Sequence, residues 1–371
     1  MLDAWKISEE VLRPRATSAD ISGDSGIVCD NVRQLADAGF LGLGIAREFG
    51  GLEADDVTRH EYAEIVASSC GVTAFTQQQL QTGIKFITES DSNDLKASIL
   101  PELARGTTLC GIAMSHLRRP GAPCVRAERA DGGYIINGNI PWVTGWSMLD
   151  AFVLGAVIVD SNQQEPCGTG SDSGGSHLFA YIDCRKHRTN MVAGAPMPLV
   201  VMEASDTVEV RITDVFVSDD AVVSVRPAAE LARTDMKAIT AHAALPLGCA
   251  RSSVRYIREL AATAGHDDLS GTALALSYEL DHCRRQTLTW NCECLDHPEY
   301  AKYAVRARAS AIVLAQRAAH AAITATGGKA HLKTSLPQRL LREAQFYTTA
   351  VQTVEIRSTT LDQLVSPLFG L

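Results

Sequence analysis

The feature that most constrains this chain is a periodicity that switches twice. From about residue 5 to 108 apolar residues recur at helical spacing. In NVRQLADAGF, Val32, Leu35, Ala36 and Phe40 fall at i, i+3, i+4 and i+8, one face of a helix. Gly39, Gly42, Gly44, Gly50 and Gly51 then punctuate a turn-rich link, and helical spacing resumes through HEYAEIVASS and DLKASILPELARG, with Pro101 at a boundary. Between about 109 and 217 the spacing becomes that of strands. A Gly-rich turn opens the Tyr-Ile-Ile run of DGGYIING, AFVLGAVIV (151–159) is almost continuously apolar, and TVEVRITDVFV alternates Val208, Val210 and Ile212 with polar neighbours. From roughly 220 helices return, among them the alanine-rich AVRARASAIVLAQRAAHAAITAT, stopped at Gly327-Gly328. This order predicts a mainly α chain with a central β domain: N-terminal helices (1–108), a middle antiparallel β domain (109–218) and C-terminal helices (219–371).

Composition removes several function classes. A chain of 371 residues can build two or three lobes, and 46% hydrophobic with 21% charged residues is the balance of a folded globular protein. A net charge of −9 argues against nucleic acid as a main partner, since duplex affinity comes from Lys and Arg neutralising phosphates. MLDAWKISEEVLRPR sets Glu9, Glu10 and Arg13 where a secretory signal needs an unbroken apolar run. Because no stretch offers ~18 uncharged apolar residues, a cytoplasmic location without a membrane is expected. Ten cysteines occur without a CxxC pair, the closest being Cys292 and Cys294, and ten histidines show no HExxH spacing; reduced structural thiols and no metal centre are expected. SNQQEPCGTGSDSGGSH (161–177) has the glycines of a phosphate loop but lacks its Lys-Ser/Thr ending, and reads as a solvated hairpin loop.

Two of the four tryptophans lie in GNIPWVTGWSMLD, residues 138–150. On a strand Trp142, Thr144 and Trp146 share one face, with a hydroxyl between two flat apolar surfaces. Such a face suits a planar heteroaromatic ligand; a core tryptophan pair at a sheet edge fits the same spacing.

Several ordered segments resemble the acyl-CoA dehydrogenase superfamily: LADAGFLGLGIAREFGG (35–51), LPELARGTTLCGIAMS (100–115), GYIINGNIPWVTG (133–145) and ATGGKAHLKTSLPQRLLREAQ (325–345). The resemblance runs from about residue 5 to 365. It implies helical, β and four-helix-bundle domains in that order, with FAD between the β domain and the bundle. By the same resemblance Trp142 packs on the isoalloxazine and Thr144 offers its hydroxyl to the N5 edge, with Trp146 as a second wall. Ser115 meets the ring's pyrimidine side, Gly121 the pyrophosphate, and Gly327 and Gly328 the dinucleotide of a neighbouring subunit. TQQQLQTGIKF (76–86) lines the acyl pocket, and its glutamines suit a smaller or functionalised substrate as well as a solvated helix. A homodimer or homotetramer is implied.

Departures from the family pattern fall on the chemistry. The Glu that removes the α-proton of an acyl thioester is replaced by Val351, and the alternative placement of that base aligns near Ala238. Neither side chain takes a proton. Glu355, His116 and Tyr347 are the weak catalytic candidates; the catalytic residue itself is unknown. The segment that holds the adenine half of FAD is replaced by RELAATAGHDDLSG (258–271), and SHLRRPGAPC (115–124) brings Arg118 and Arg119 where a phosphate could pair with them.

Three functions are compatible with these residues. The first is α,β-oxidation of an acyl thioester, on CoA or a carrier protein, by an FAD-dependent oxidoreductase with a non-standard base. The second is a monooxygenase of the same fold that takes reduced flavin, FMN or FAD, from a separate flavin reductase. The third is a non-catalytic subunit that needs a homologous partner subunit.

Overall fold

The computed structural model describes residues 1–159, 175–264, 267–291 and 294–365. Leu2–Ile7 (α1) passes through a π-helical turn, Ser8–Leu12, into Arg13–Ser22 (α2). The ladder widens where Pro14 has no N–H to give the carbonyl four residues back. α3 (Ser25–Asp37) starts at Asp24, whose carboxylate accepts from the Gly26 N–H at 2.9 Å. α4 (Asp56–Ser69) starts at Asp55, which accepts from the Thr58 N–H at 2.7 Å. Val32, Leu35, Ala36 and Phe40 are all buried, as their spacing predicts. α5 (Gly71–Thr88) and α6 (Asn93–Ala104) complete this domain. Pro101 lies inside α6 rather than at its boundary. In the last turn it removes a single ladder bond, and the helix stops instead at Gly106, which takes φ +70.

The sheet contains β1 (Cys110–Ala113), β2 (Val125–Ala130), β3 (Gly133–Val143), β4 (Ala151–Val159), β5 (Ser176–Asp183), β6 (Met191–Ala193), β7 (Val208–Ser218) and β8 (Val222–Pro227). Its order is β6-β7-β3-β2-β4-β5-β8, with β1 on β4. Most pairs are antiparallel, but β4 pairs in parallel with both β1 (Cys110↔Ala151) and β2 (Arg126↔Val157). Gly155 falls between these two registers, where residues 114–124 leave the sheet. Leu117 packs over it, and a Cβ on Gly155 would lie 2.7 Å from the Leu117 Cδ1. β8 pairs with β5 (Ser176↔Pro227), so the sheet continues beyond residue 218. Alternation in VVSVRP is too short to separate a strand from the helices that follow.

α7 (Glu230–Lys237), α8 (Ala244–Ala264), α9 (Asp267–Thr289), α10 (Tyr300–Thr326), α11 (Leu336–Thr349) and α12 (Val354–Leu364) form the last domain. α8, α9, α10 and α11 make a four-helix bundle, with α4 against α8 and α12 against α10. Ala304, Ala311, Ala315, Ala318, Ala319 and Ala322 are buried along α10, which lets neighbouring helices approach closely. Glu64 of α4 joins the two helical domains: it is buried and accepts from Arg251 at 3.1 Å and from Arg284 Nε at 2.8 Å. The cysteines among the described residues are free thiols. Cys167, Cys292 and the hairpin-loop reading of residues 161–174 lie outside the described residues. Among the described residues no helix is long and apolar enough to cross a membrane.

Candidate active site

The end of β3 forms an open platform. Trp142 is 42% exposed, whereas Thr144 is buried with its hydroxyl 3.0 Å from that of Thr207, itself 2.8 Å from that of Ser205. A hydroxyl both donates and accepts, so a bond accepted from Thr207 leaves the Thr144 proton for a ligand. Gly145 then turns the chain at φ +79, its N–H bonding the carbonyls of Ser205 (2.8 Å) and Asp206 (3.2 Å). The strand ends at Val143, three residues before Trp146, to which the alternation carries it. Trp146 opens a 3-10 turn and packs half-buried on Phe152, ring centroids 6.3 Å apart, so it is no second wall. Only Trp142 presents an open indole here.

Ser115 is exposed at the start of the turn Ser115–Arg118, directly after β1, and β3 passes beside that turn. Gly121, Gly327 and Gly328 are also exposed, with no atom within 4 Å of where a Cβ would stand. An indole face, nearby hydroxyls and bare backbone are surfaces that fit a large planar dinucleotide.

Other expectations for this region are corrected. His116 does not reach a ligand: it is 4% exposed, and its Nε2 bonds the Gly155 carbonyl at 2.7 Å, closing the ladder gap between β1 and β2. Burial lowers its pKa to about 4, so the ring is neutral and donates that bond. Arg118 is not held for a phosphate, because it grips Asp235 of α7 with two bonds, Nε to Oδ2 at 2.7 Å and Nη2 to Oδ1.

A cavity of about 250 Å³ lies where the three domains meet. Leu43, Val66, Ile84, Phe86, Leu245 and Leu288 give it apolar walls, and Met114 closes it at the end of β1. TQQQLQTGIKF lines it as the resemblance implies, although Gln79 is not in the wall. Gln77 donates to the Tyr62 hydroxyl and Gln81 to the Phe40 carbonyl at 2.8 Å, so both amides serve the N-terminal domain. Gln78 alone reaches across, its Nε2 2.8 Å from Nδ1 of His242.

The weak catalytic candidates all fall outside this wall. Glu355 is exposed in the first turn of α12, and Tyr347 is buried in α11 with no hydrogen-bond partner on its hydroxyl among the described residues. Val351 is 37% exposed in the turn between α11 and α12, at φ +50, whereas Ala238 does line the cavity. Each carboxylate in the wall stands beside a cation: Asp235 by Arg118, Asp56 by Arg59, and Glu89 by Lys85 at 3.7 Å.

The two segments where a base would stand share one side chain, which sequence reasoning missed. Arg308 of α10 is buried and donates to the carbonyls of Ile239 (3.4 Å) and Ala350 (2.9 Å). Burial lowers its pKa to about 9. An arginine in a run of alanines was its only signal. His242 was equally inconspicuous, a lone imidazole in AITAHAALPLG.

Residues 4–107 match the family model for the acyl-CoA dehydrogenase N-terminal domain. Over 377 residues the chain is 23% identical to the probable acyl-CoA dehydrogenase YngJ of Bacillus subtilis (strain 168), covering 94% of this chain and 92% of that one. Its N-terminal domain matches the acyl-CoA dehydrogenase family, and the chain is similar to acyl-CoA dehydrogenases over nearly its whole length. Its fold is that of butyryl-CoA dehydrogenase from Megasphaera elsdenii, with a TM-score of 0.80 at 18% identity over 98% of this chain and 96% of that one. It is equally similar to a nitroalkane oxidase crystallised with 1-nitrooctane, TM-score 0.81 at 15% identity, covering 100% and 96%. The fold therefore leaves the choice of chemistry to the side chains of the site.

Proposed function

We propose that this acyl-CoA dehydrogenase-like flavoenzyme binds FAD on the Trp142 platform and oxidises an acyl thioester held in the cavity. The observation that carries the reading is the junction of Met114 and Ser115. The first lines the cavity and the second starts the exposed turn that β3, the strand of Trp142, passes beside, so adjacent residues link the cavity to that strand. Trp142 covers the flat ring system, Thr144 and Ser115 donate to its edges, and Gly121 admits its phosphates. Gly327 and Gly328 serve the cofactor of a second copy, in a homodimer or homotetramer. When bound, FAD supplies the hydride acceptor. The protein's own part is to hold the acyl chain against Val66, Ile84 and Phe86, keep water from it, and take the α-proton. Val351 and Ala238 cannot take that proton, so the base is non-standard.

The test is the visible spectrum of the flavin-loaded protein on anaerobic addition of acyl-CoA thioesters. Bleaching of the flavin band is expected. A band indifferent to every thioester would overturn the reading.

The cation beside every wall carboxylate favours a second reading, reduced-flavin monooxygenation, because that chemistry needs no α-proton base. Oxygen uptake with reduced FAD or FMN, supplied by a flavin reductase, would identify it. Activity found only on co-expression with a homologous subunit would instead mark a non-catalytic partner.

A further inference from the structure

The Gln78–His242 pair is a polar bridge in a largely apolar cavity, and it joins two domains. Gln78 projects from α5, and His242 from the turn Ala241–Ala243 that leads into α8. The His242 N–H bonds the Ala238 carbonyl at 3.3 Å, which sets the imidazole one helical turn from that wall position. Both side chains are half-buried, and among the described residues neither makes a further side-chain hydrogen bond. Their remaining polar atoms are the pair's offer to a ligand.

That offer can be counted. If the Gln78 amide donates one N–H to Nδ1, the neutral imidazole carries its proton on Nε2, leaving that N–H and the second amide N–H as donors and the amide oxygen as acceptor. If the amide is turned about its axis, Nδ1–H donates to Oε1, leaving Nε2 as acceptor and the NH2 as donor. Either way one partner gives and the other takes. A hydroxyl group matches both at once; a hydrocarbon leaves both without a partner. A carboxylate only accepts, so it leaves the pair's remaining acceptor, Oε1 or Nε2, without a partner as long as the imidazole is neutral.

From this complementarity we infer that the cavity selects an acyl chain bearing a hydroxyl group, bound between Gln78 and His242. The inference rests on the acyl-thioester reading above and names the substrate class that it leaves open. Of the three α5 glutamines in the wall, Gln77 and Gln81 have amides committed to Tyr62 and Phe40, which leaves Gln78 as the one that reaches across.

The test is calorimetric binding to the FAD-loaded oligomer, which needs no turnover. The ligands are pantetheine thioesters of butyryl and hexanoyl chains, unsubstituted, hydroxylated at each carbon in turn, or ending in a carboxylate. A hydroxylated chain is expected to bind on the order of 10²-fold more tightly than its parent, as in sites built to hydrogen-bond a substrate hydroxyl. In Gln78→Met and His242→Leu that preference should fall to about twofold, with parent chains bound no more weakly, because the unmatched polar groups are gone. If a variant fails to fold, the wild-type series decides alone. Parent chains bound as tightly as every hydroxylated one, a carboxylate bound tightest, or a preference that survives both substitutions would each overturn the inference while leaving the thioester reading intact. Binding of no thioester at all would remove both.

Discussion

Arg308 and Ala350 are joined by a hydrogen bond of 2.9 Å from the guanidinium to the carbonyl oxygen, one residue before Val351. The same guanidinium reaches Ile239, one residue after Ala238. A single buried cation thus pins the segments next to both Val351 and Ala238. Each such bond contributes about 1.5–3 kcal/mol, being made to a charged donor, so Arg308→Leu should speed amide exchange by at least about tenfold. Hydrogen exchange read by mass spectrometry should show the change in 236–242 and 350–353 together. Protection lost in one segment alone would mean that Arg308 does not couple them.

His116 provides a pH signature. Burial holds its folded pKa at about 4 against 6.5 for a free imidazole, so between these values the unfolded chain binds more protons. Stability from this site is therefore complete above pH 6.5 and lost as pH falls toward 4. Between about pH 7 and pH 5 the loss is on the order of 2 kcal/mol. His116→Gln can still donate to Gly155 but does not titrate, so urea unfolding at the two pH values should show a shallower dependence. His60, His177 and His187, also lowered by burial, are present in both proteins and cancel.

The two tryptophans of the platform segment should separate cleanly. Trp142→Ala removes a 42% exposed indole and is expected to weaken FAD binding about tenfold with little change in stability. Trp146→Ala removes a half-buried ring from Phe152 and should cost about 2–3 kcal/mol. Flavin titration and thermal melting read the two effects independently.

Val351 is β-branched at φ +50, a conformation in which such residues are strained. Val351→Asn should stabilise the protein by roughly 1 kcal/mol, since Asn tolerates the left-handed region. Equal or lower urea midpoints would show that the turn relaxes around valine at no cost.

Most of the architecture was legible because it depends on local periodicity. The faces of α3 and α10, the strand runs and the stop at Gly327 follow from spacing and backbone preference. The parallel pairs around β4 were not legible: register between distant strands leaves no local mark, and Gly155 reads as one more glycine in an apolar run. For the site, the residues proposed to face the cofactor came from ordered motifs, whereas Arg118–Asp235, Gln78–His242 and Arg308 depend on which helix ends meet across domains. Trp146 was misplaced because one left-handed glycine broke the alternation used to orient it.

The two parallel registers on β4 decouple the segment between them from the rest of the sheet. β1 and β2 act as halves of one interrupted strand, so residues 114–124 leave and rejoin the sheet without any other strand having to move. The excursion, which carries Ser115 and Gly121, behaves as an exchangeable cassette, anchored by His116 and Leu117 over Gly155. Because β4 holds both flanking strands, the length and charge of this segment can change while the framework beneath keeps its register.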